Sequence, residues 1–408
     1  MTGGKARLTF LGTGTSQGVP IIGCKCDVCR SEDPRDKRFR ASVFVEYGGL
    51  NILVDAGPDF RMQMLAHDLC HLDAILLTHN HKDHTGGLDD VRSLNYIDRR
   101  AAEIYCERNV LEDLIRDYPY VFKFPKYPGA PEWRLHVINE NPFIIKKEDS
   151  DKELVWVHDV GYHYRLPDGQ LIPTARCLED MIEDCVSNHV VNDLSTPLHP
   201  QGGTEGRTPQ TPCVAYGSDS LSPDGEAGEG GPDGETTATL GTLRGGTGAE
   251  RSKASGGAER SEAVEPPAPP STAPSYKPGL PGSATGLIEA TIIPIRGIHH
   301  ALPVLGFRFG DIAYLTDMSS IPESEFEKLT GLKHLTLNTV GYNKHHSHFS
   351  LDETLELADR IRPGHTWLTH LSHSFPVHER FCDELDRLCA ERNIHSVVRP
   401  AYDGLVIE

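Results

Sequence analysis

Thr78-His-Asn-His-Lys-Asp-His84 follows directly on an apolar run that reads as a short buried strand. Imidazole nitrogens and carboxylate oxygens are good ligands for Zn²⁺ and for harder ions such as Mn²⁺. His79 and His81 are two residues apart, so an extended loop brings both to the same side. Asp83 and His84 come where the chain turns toward a helix, and they point to a second position nearby. The spacing predicts two adjacent metal positions at the end of a strand.

Three further ligands lie in the second half of the chain, each at the end of a predicted strand or at a loop edge. Asp317 ends the run IAYLTD, and His370 ends the run HTWLTH. A histidine of the segment GIHHALPVLGF completes the set, although chemistry alone does not choose between His299 and His300. Active sites of α/β proteins lie at such strand ends. Together with the first loop, these groups suffice for two metal ions that share one bridging carboxylate.

A second cluster of metal-binding side chains is a run of cysteines near the start of the chain. Cys24, Cys26 and Cys29 place three thiols in six residues, and thiolates favour tetrahedral Zn²⁺. His373 is the candidate for the fourth ligand, which would make a closed, structural zinc site. A redox pair and unligated thiols are the alternatives. The other seven cysteines, Cys185 among them, show no such grouping and are predicted to be core or surface thiols.

Charge and composition limit the classes of function. The 408 residues include 40 basic and 59 acidic side chains, so the net charge is −19 and the pI is about 5.5. A protein that coats nucleic acid needs a basic excess. No apolar run approaches the roughly 18–20 residues that a membrane span requires, and no secretory signal opens the sequence. We therefore expect a cytoplasmic protein with reduced thiols and no membrane partner.

Two segments, 1–146 and 287–408, read as mixed α/β. Turn residues at 48–49 and at 310–311 each separate two apolar runs, which predicts two tight hairpins. A capping box at 350–353 predicts the start of an amphipathic helix. Neither segment alone has an obvious closed core, so we expect the two to pack together as one domain.

The chain between these segments falls into two parts. Residues 147–198 are of intermediate composition, and the sequence does not decide whether they are ordered. Within them a hairpin is predicted about Pro167-Asp168-Gly169 and a short helix in RCLEDMIEDCV. Residues 199–286 are predicted to be a disordered insertion. From Gln201 to Gly286 there are 18 Gly and 11 Pro in 86 residues, with few large apolar side chains. Such a stretch cannot bury enough surface to offset the entropy of folding.

The HxHxDH loop with its later His, Asp and His resembles the metallo-β-lactamase superfamily of hydrolases. Within it, FLGTGTSQGVPIIGCKCDVC, DPRDKRFRAS and LPVLGFRFGDIAYLTD resemble the phosphodiesterases typified by the carbon–phosphorus lyase accessory enzyme. That family hydrolyses phosphoribosyl 1,2-cyclic phosphate. The resemblance covers roughly 1–146 and 287–408, and it implies an α/β protein with an αββα sandwich and a dinuclear site at one rim.

The resemblance also assigns the metal ligands. It implies two active-site ions, Zn or Mn, held by His79, His81 and His299 on one side, by Asp83, His84 and His370 on the other, and bridged by Asp317. The extra zinc of the family falls on Cys24, Cys26, Cys29 and His373. The spacing of HALPVLGF in the family favours His299 over His300 as the ligand.

These expectations describe a metal-dependent phosphoric diester hydrolase that cleaves a small, cyclic phosphodiester by attack of metal-bound hydroxide. The resemblance makes His348, in KHHSHFSLDETL, the proton donor to the leaving group. We expect Asp83 to act in catalysis as well as in metal binding. Arg38 and Arg40 either clamp a substrate phosphate or form ordinary ion pairs.

Other readings of the sequence stay open. A tRNA 3′-processing endonuclease shares the LGTG start and the metal loop, but it needs a basic RNA-binding arm, whereas the insertion here is acidic. Lactone or thioester hydrolysis is a further option, because sequence does not show the shape of a pocket. A zinc-binding interaction protein is the remaining class. As partners we expect a small phosphodiester and no nucleic acid, and a homodimer is left open.

Overall fold

The computed structural model describes residues 5–124, 126–127, 129–147, 153–157, 161–175, 178–185 and 288–408. The predicted disordered insertion lies outside these residues. The described chain forms two large mixed sheets and one small antiparallel sheet, with helices on the outer faces of the large ones.

The strands are numbered in chain order. They are β1 (Arg7–Gly12), β2 (Ser42–Tyr47), β3 (Leu50–Val54), β4 (Ala74–Leu76), β5 (Ala102–Cys106), β6 (Trp133–Val137), β7 (Phe143–Lys146), β8 (Glu153–Val157), β9 (Gly161–Arg165), β10 (Leu171–Pro173), β11 (Ile182–Asp184), β12 (Glu289–His299), β13 (Leu302–Phe309), β14 (Ile312–Leu315), β15 (His334–Asn338), β16 (His365–Thr369), β17 (Val397–Pro400) and β18 (Val406–Ile407).

The α-helices are numbered in the same way. They are α1 (Asp27–Arg30), α2 (Phe60–Ala66), α3 (Lys82–Thr85), α4 (Arg92–Asp98), α5 (Arg108–Asp117), α6 (Leu351–Ile361) and α7 (His378–Arg392). In the described part of the chain, no helix is both long enough and apolar enough to cross a membrane.

The two large sheets each draw strands from both ends of the chain. The first has the order β11-β6-β5-β4-β3-β2-β1-β18, and the second has the order β17-β16-β15-β14-β13-β12-β7. β7 pairs antiparallel with β12, from Phe143 opposite Ile292 to Lys146 opposite Glu289. β7 and β12 are therefore neighbouring strands of one sheet, although β8 to β11 and the undescribed insertion lie between them in the chain.

Side chains that alternate along the central strands enter different apolar layers on the two faces of each sheet. Ile52 and Val54 of β3 enter the core between the sheets, whereas Leu53 packs beneath α2 and α5. A strand covered on both faces reads as continuously apolar, as β3 does. On the far side of the second sheet, Leu368 and Val398 pack against α6 and α7. These layers are the αββα sandwich of the metallo-β-lactamase fold, which confirms the predicted fold class.

The local signals for turns and for one helix start are confirmed. Gly48 and Gly49 join β2 to β3 with φ of 61° and 84°, the positive values that a two-residue hairpin turn requires. Gly310 and Asp311 join β13 to β14. At the start of α6, the Ser350 backbone N–H donates to Glu353 Oε2 at 3.0 Å, one half of the predicted capping box.

The segment 153–185 is only partly as expected. The hairpin about residues 167–169 is confirmed, since β9 and β10 pair antiparallel on either side of it. The short helix predicted in RCLEDMIEDCV is wrong in its described part, which is one 3₁₀ turn, Glu179–Met181, followed by β11. β11 adds to the edge of the first sheet in parallel with β6, and Met181 is buried in the core beneath it. This pairing outweighs the local helical pattern.

A polar network connects the loop before β4 to the end of α4. His71 Nδ1 lies 2.9 Å from Asp98 Oδ1, and His71 Nε2 lies 3.1 Å from Asp73 Oδ1. Asp73 also accepts a hydrogen bond from Arg100 at 3.2 Å. The hydrogen bonds to Asp73 and Asp98 raise the pKa of His71 to about 9.

This shift predicts a pH-dependent stability. Because the pKa of His71 is about 9 in the folded chain and about 6.5 in an unfolded one, its stabilising effect is complete below about pH 6.5 and is lost as the pH rises through about 9. We expect this residue's contribution to the free energy of unfolding to fall by about 1 kcal/mol between about pH 6 and about pH 10, after allowance for its partial exposure. Urea unfolding of the protein and of His71→Gln at both pH values measures this contribution. An equal pH dependence in the two proteins would contradict this account.

Candidate metal centre

The loop after β4 is held in place by a carboxylate at the end of β3. Asp55 Oδ1 accepts a hydrogen bond from the Thr78 backbone N–H at 2.8 Å, and Asp55 Oδ2 accepts one from the Thr78 hydroxyl at 2.9 Å. β3 and β4 are parallel neighbours, so their ends meet at the same sheet edge. The histidine-rich loop and α3 start from this fixed point.

Three of the predicted ligands form a first group. The ring centroids of His79, His81 and His299 lie 4.6–5.5 Å apart, and one ring nitrogen of each lies within 4.8 Å of the others. His299 is the last residue of β12 and is buried, whereas His300 is exposed beside His346. The structure therefore brings His299, and not His300, into this group.

Three more ligands form a second group beside the first. Asp83, His84 and His370 also bring one ligand atom each to within 4.8 Å of one another. His84 Nε2 lies 3.4 Å from Asp83 Oδ2. The rings of His79 and His84 have centroids 4.2 Å apart, so the two groups are in contact.

Asp317 connects the members of the second group. Its Oδ2 lies 2.6 Å from His84 Nε2, and its Oδ1 lies 2.8 Å from His370 Nε2. The side chain is 2% exposed. Burial opposes ionisation, yet the neighbouring imidazoles of His370 and His84 hold the pKa of Asp317 well below its usual range. A carboxylate that stays ionised out of contact with water needs nearby positive charge.

The donor atoms of the first group suit a metal ion. Thr78 donates its hydroxyl hydrogen to Asp55, so His79 Nδ1, 2.9 Å from the same hydroxyl oxygen, is the nitrogen that carries the proton. His79 Nε2 is then a buried acceptor, and it has no hydrogen-bond partner among the described residues. Burial and the charge of His84 lower the pKa of His79 well below its usual value. A neutral imidazole with an unused lone pair is what a divalent ion binds.

Asp55 is a site residue that the sequence analysis did not identify. Its Oδ2 lies 2.7 Å from His84 Nδ1, which directs His84 Nε2 toward Asp317. A carboxylate behind a ligating histidine fixes the ring and its tautomer. The available signal in the sequence was the position of Asp55 directly after an apolar run, as for Asp317 and His370. In the structure all three residues have left-handed backbones, with φ of 64°, 54° and 54°.

The predicted zinc ligands also lie together. The sulfur atoms of Cys24, Cys26 and Cys29 lie 3.2, 3.5 and 3.5 Å from His373 Nδ1. Hydrogen bonding by the Cys26 backbone lowers the pKa of Cys24 to about 6, whereas burial raises that of Cys29 to about 11. Four soft and borderline ligands surround one point here, the arrangement of a closed zinc site.

His348 lies at the edge of the two ligand groups. Its ring stacks on His370 with centroids 4.4 Å apart, and its Nδ1 lies 3.3 Å from Asp317 Oδ1. Burial and the charge of His370 lower the pKa of His348 to about 2. The imidazole is therefore neutral near pH 7 in the free protein.

The two predicted substrate arginines are placed differently. Arg38 is buried, and its guanidinium donates to the Thr13 hydroxyl at 2.8 Å and to the Ala401 carbonyl. These contacts favour a structural role for Arg38 over the predicted phosphate contact. Arg40 pairs with Asp59 at 2.9 Å and keeps 30% of its side chain exposed. Substrate contact by Arg40 stays a prediction.

Comparison with known proteins gives a family and a fold. The Beta-lactamase superfamily domain matches residues 50–150 and 256–371, more than half of the chain. A crystal structure described as a new diphosphatase from the PhnP family covers 99% of this chain and 98% of its own, with 24% sequence identity and a TM-score of 0.56.

Curated relatives resemble this chain over part of their length. An octanoyltransferase of Porphyromonas gingivalis is 27% identical over 401 residues, 98% of this chain and 51% of that protein. Coenzyme PQQ synthesis protein B of Methylococcus capsulatus is 29% identical over 139 residues, 31% of this chain and 44% of that protein. The chain thus spans about half the length, or less, of these relatives. The structural likeness shows the fold, and the domain match shows the family: the chain belongs to the β-lactamase superfamily.

Proposed function

We propose that this protein hydrolyses a small, cyclic phosphodiester with the help of two divalent metal ions. The observation that carries the proposal is the position of Asp317, within 2.8 Å of imidazoles of the second ligand group and next to the first. Adjacent ligand sets that share one carboxylate are suited to displacement at phosphorus, where both the attacking and the leaving oxygen need stabilisation. The solved PhnP-family diphosphatase supports the phosphoester class.

Each ion has a set of protein ligands in this proposal. The ligands are His79, His81 and His299 for one ion, Asp83, His84 and His370 for the other, and Asp317 for both. When bound, Zn²⁺ or Mn²⁺ ions lower the pKa of water toward 7 and offset the charge that develops on the phosphate.

Residues behind the ligands keep them in position. Asp55 accepts from His84 Nδ1 at 2.7 Å, and the Ser347 carbonyl accepts from His299 Nδ1 at 2.7 Å. Both contacts leave the Nε2 atoms as the metal-binding atoms. Partners of this kind change metal affinity by about 10–100-fold when they are removed.

His348 is the group that supplies a proton to the leaving oxygen in this proposal. A phosphodiester carries a negative charge, and an anion beside the ring raises the pKa of an imidazole. The charge of a bound substrate therefore raises the pKa of His348 from its value of about 2 in the free protein. Asp83, 15% exposed at its side chain, stands at the same edge and is the second predicted catalytic residue.

The net charge of the chain favours a small substrate. A charge of −19 repels a polyanion such as RNA, whereas a single phosphodiester in the reach of bound cations is attracted locally. Hydrolysis of a small phosphodiester is therefore favoured over tRNA processing.

The proposal predicts a substrate profile. Protein loaded with Zn²⁺ or Mn²⁺ should hydrolyse bis(p-nitrophenyl) phosphate and cyclic ribose phosphates, and should leave a precursor tRNA, a lactone and a thioester intact. Asp317→Asn should lower kcat/KM by more than about 100-fold, since loss of a ligand costs more than loss of a residue behind one.

Asp352→Asn is the matched control, because it removes an exposed carboxylate at the start of α6. It should retain full activity. Steady-state kinetics and metal analysis of the three proteins measure the effect. Turnover of the precursor tRNA or of the thioester in place of the phosphodiesters would contradict the proposal.

A second prediction separates His348 from the metal ligands. His348→Ala should keep both ions and lose on the order of 10²–10⁴-fold in rate on a cyclic ribose phosphate, the usual range for proton transfer. On bis(p-nitrophenyl) phosphate the loss should be much smaller, because nitrophenolate leaves without a proton. His370→Ala should instead release one ion and slow both substrates alike. Equal losses on the two substrates for His348→Ala would exclude the proton-donor role.

We further propose a structural zinc ion on the cysteine cluster. The three sulfur atoms surround His373 Nδ1 at 3.2–3.5 Å, and such a closed site contributes its binding energy to folding. Cys26→Ser should remove one zinc ion per chain and lower the melting temperature while the active-site ligands stay in place. Cys70→Ser, at an exposed thiol, should change neither. Unchanged zinc content in Cys26→Ser would exclude the site.

A further inference from the structure

A third cluster of metal-binding side chains lies at the edge of the first sheet, outside both sites described above. It consists of His136 on β6, Glu183 on β11 and Cys185 just beyond β11, whose ligand atoms all lie within 4.8 Å of one another. The parallel register places His136 directly beside Glu183, and the Cys185 backbone N–H donates to the Val137 carbonyl at 3.1 Å. Positions 183 and 185 share one face of the strand.

The distances in this cluster match those between ligands of one ion. His136 Nδ1 lies 3.7 Å from Cys185 Sγ and 3.6 Å from Glu183 Oε2. The separation from Glu183 is long for a hydrogen bond, whereas the separation from Cys185 is within reach of a weak hydrogen bond to sulfur. Two ligands of one tetrahedral zinc ion, at about 2.0 Å for nitrogen or oxygen and about 2.3 Å for sulfur, lie about 3.3–3.6 Å apart. The corresponding separations between His Nδ1 and sulfur in the four-ligand cluster are somewhat shorter, 3.2–3.5 Å.

A carboxylate behind the histidine completes the arrangement. Glu103 Oε2 contacts His136 Nε2, the ring nitrogen that faces away from the cluster. This contact places the proton on Nε2 and leaves the lone pair of Nδ1 directed at Glu183 and Cys185. The ring is further fixed by stacking on Tyr105, with centroids 4.2 Å apart and planes at 11°. A carboxylate, a histidine and a metal ion in this order are the usual arrangement at zinc sites.

We propose that His136, Glu183 and Cys185 form a third kind of metal site in this protein, which binds a zinc ion distinct from the ions of the active site and the cysteine cluster. Nitrogen, oxygen and sulfur ligands together suit Zn²⁺ better than Mg²⁺ or Ca²⁺. A carboxylate and a thiolate balance the charge of a divalent ion. The three residues line a cavity of about 510 Å³, so the cluster is open on one side.

The position of Cys185 in this cluster depends on the pairing of β11 with β6, and the proposed site has a structural consequence. The sequence shows no grouping for Cys185, because His136 lies on a strand 49 residues earlier in the chain. A bound ion would join the edge strand β11 to β6. Edge strands are otherwise the least protected part of a sheet, so zinc binding should stabilise this edge.

The test uses the full chain, with Zn²⁺ as the only added ligand. Alkylation of Cys185 by iodoacetamide is followed by peptide mass spectrometry across a series of buffered free-zinc concentrations. Zinc should slow the alkylation of Cys185 by about tenfold or more, because a metal-bound thiolate is a poor nucleophile compared with a free one. The exposed Cys70 serves as the internal control, and zinc should not change its rate.

Two variants decide whether the cluster is responsible for the protection of Cys185 by zinc. Glu183→Gln replaces a half-exposed ligand and should abolish the protection of Cys185, with one zinc ion fewer per chain. Glu179→Gln, on the same segment but outside the cluster, should keep the protection and the zinc content. Cys185 alkylated at the same rate with and without zinc would overturn the proposal, as would protection that persists in Glu183→Gln.

Discussion

The contact of the buried Asp317 carboxylate with the imidazoles of His84 and His370 is the interaction on which the active-site region depends. A carboxylate that is 2% exposed cannot stay ionised alone, so the surrounding groups must supply positive charge. Asp317 follows β14 and His370 follows β16, while His84 is held from behind by Asp55 after β3. The contact therefore forms only when strand ends of both large sheets meet at one rim.

Features that depend on neighbours in the sequence could be predicted from the sequence. The two glycines at 48–49 supply the positive φ values of their turn, and the residues 350–353 supply their own helix cap. The metal-binding loop is likewise local, since its four ligands lie within six residues. The matching ligands in the second half followed from their strand-end positions and from the family resemblance.

Features that depend on tertiary packing could not be predicted in this way. The role of Asp55 requires that β3 lie beside β4, which no local pattern shows. In the sequence, Arg38 could be a phosphate-binding residue. In the structure its guanidinium is buried and donates hydrogen bonds to Thr13 and Ala401. Residues 182–184 follow a helical pattern in sequence but gain more from pairing with β6, and only that pairing brings Cys185 to His136.

The central claim is that one carboxylate is shared by two ions, and electron paramagnetic resonance of the Mn²⁺-loaded protein tests it most directly. Two Mn²⁺ ions on one bridging carboxylate, about 3.5–4 Å apart, are magnetically coupled. At two equivalents we expect the six-line signal of an isolated ion to be replaced by the broad spectrum of a coupled pair. If a second equivalent of Mn²⁺ instead doubles the six-line signal and no coupled spectrum appears, the two ions are separate and the account is contradicted.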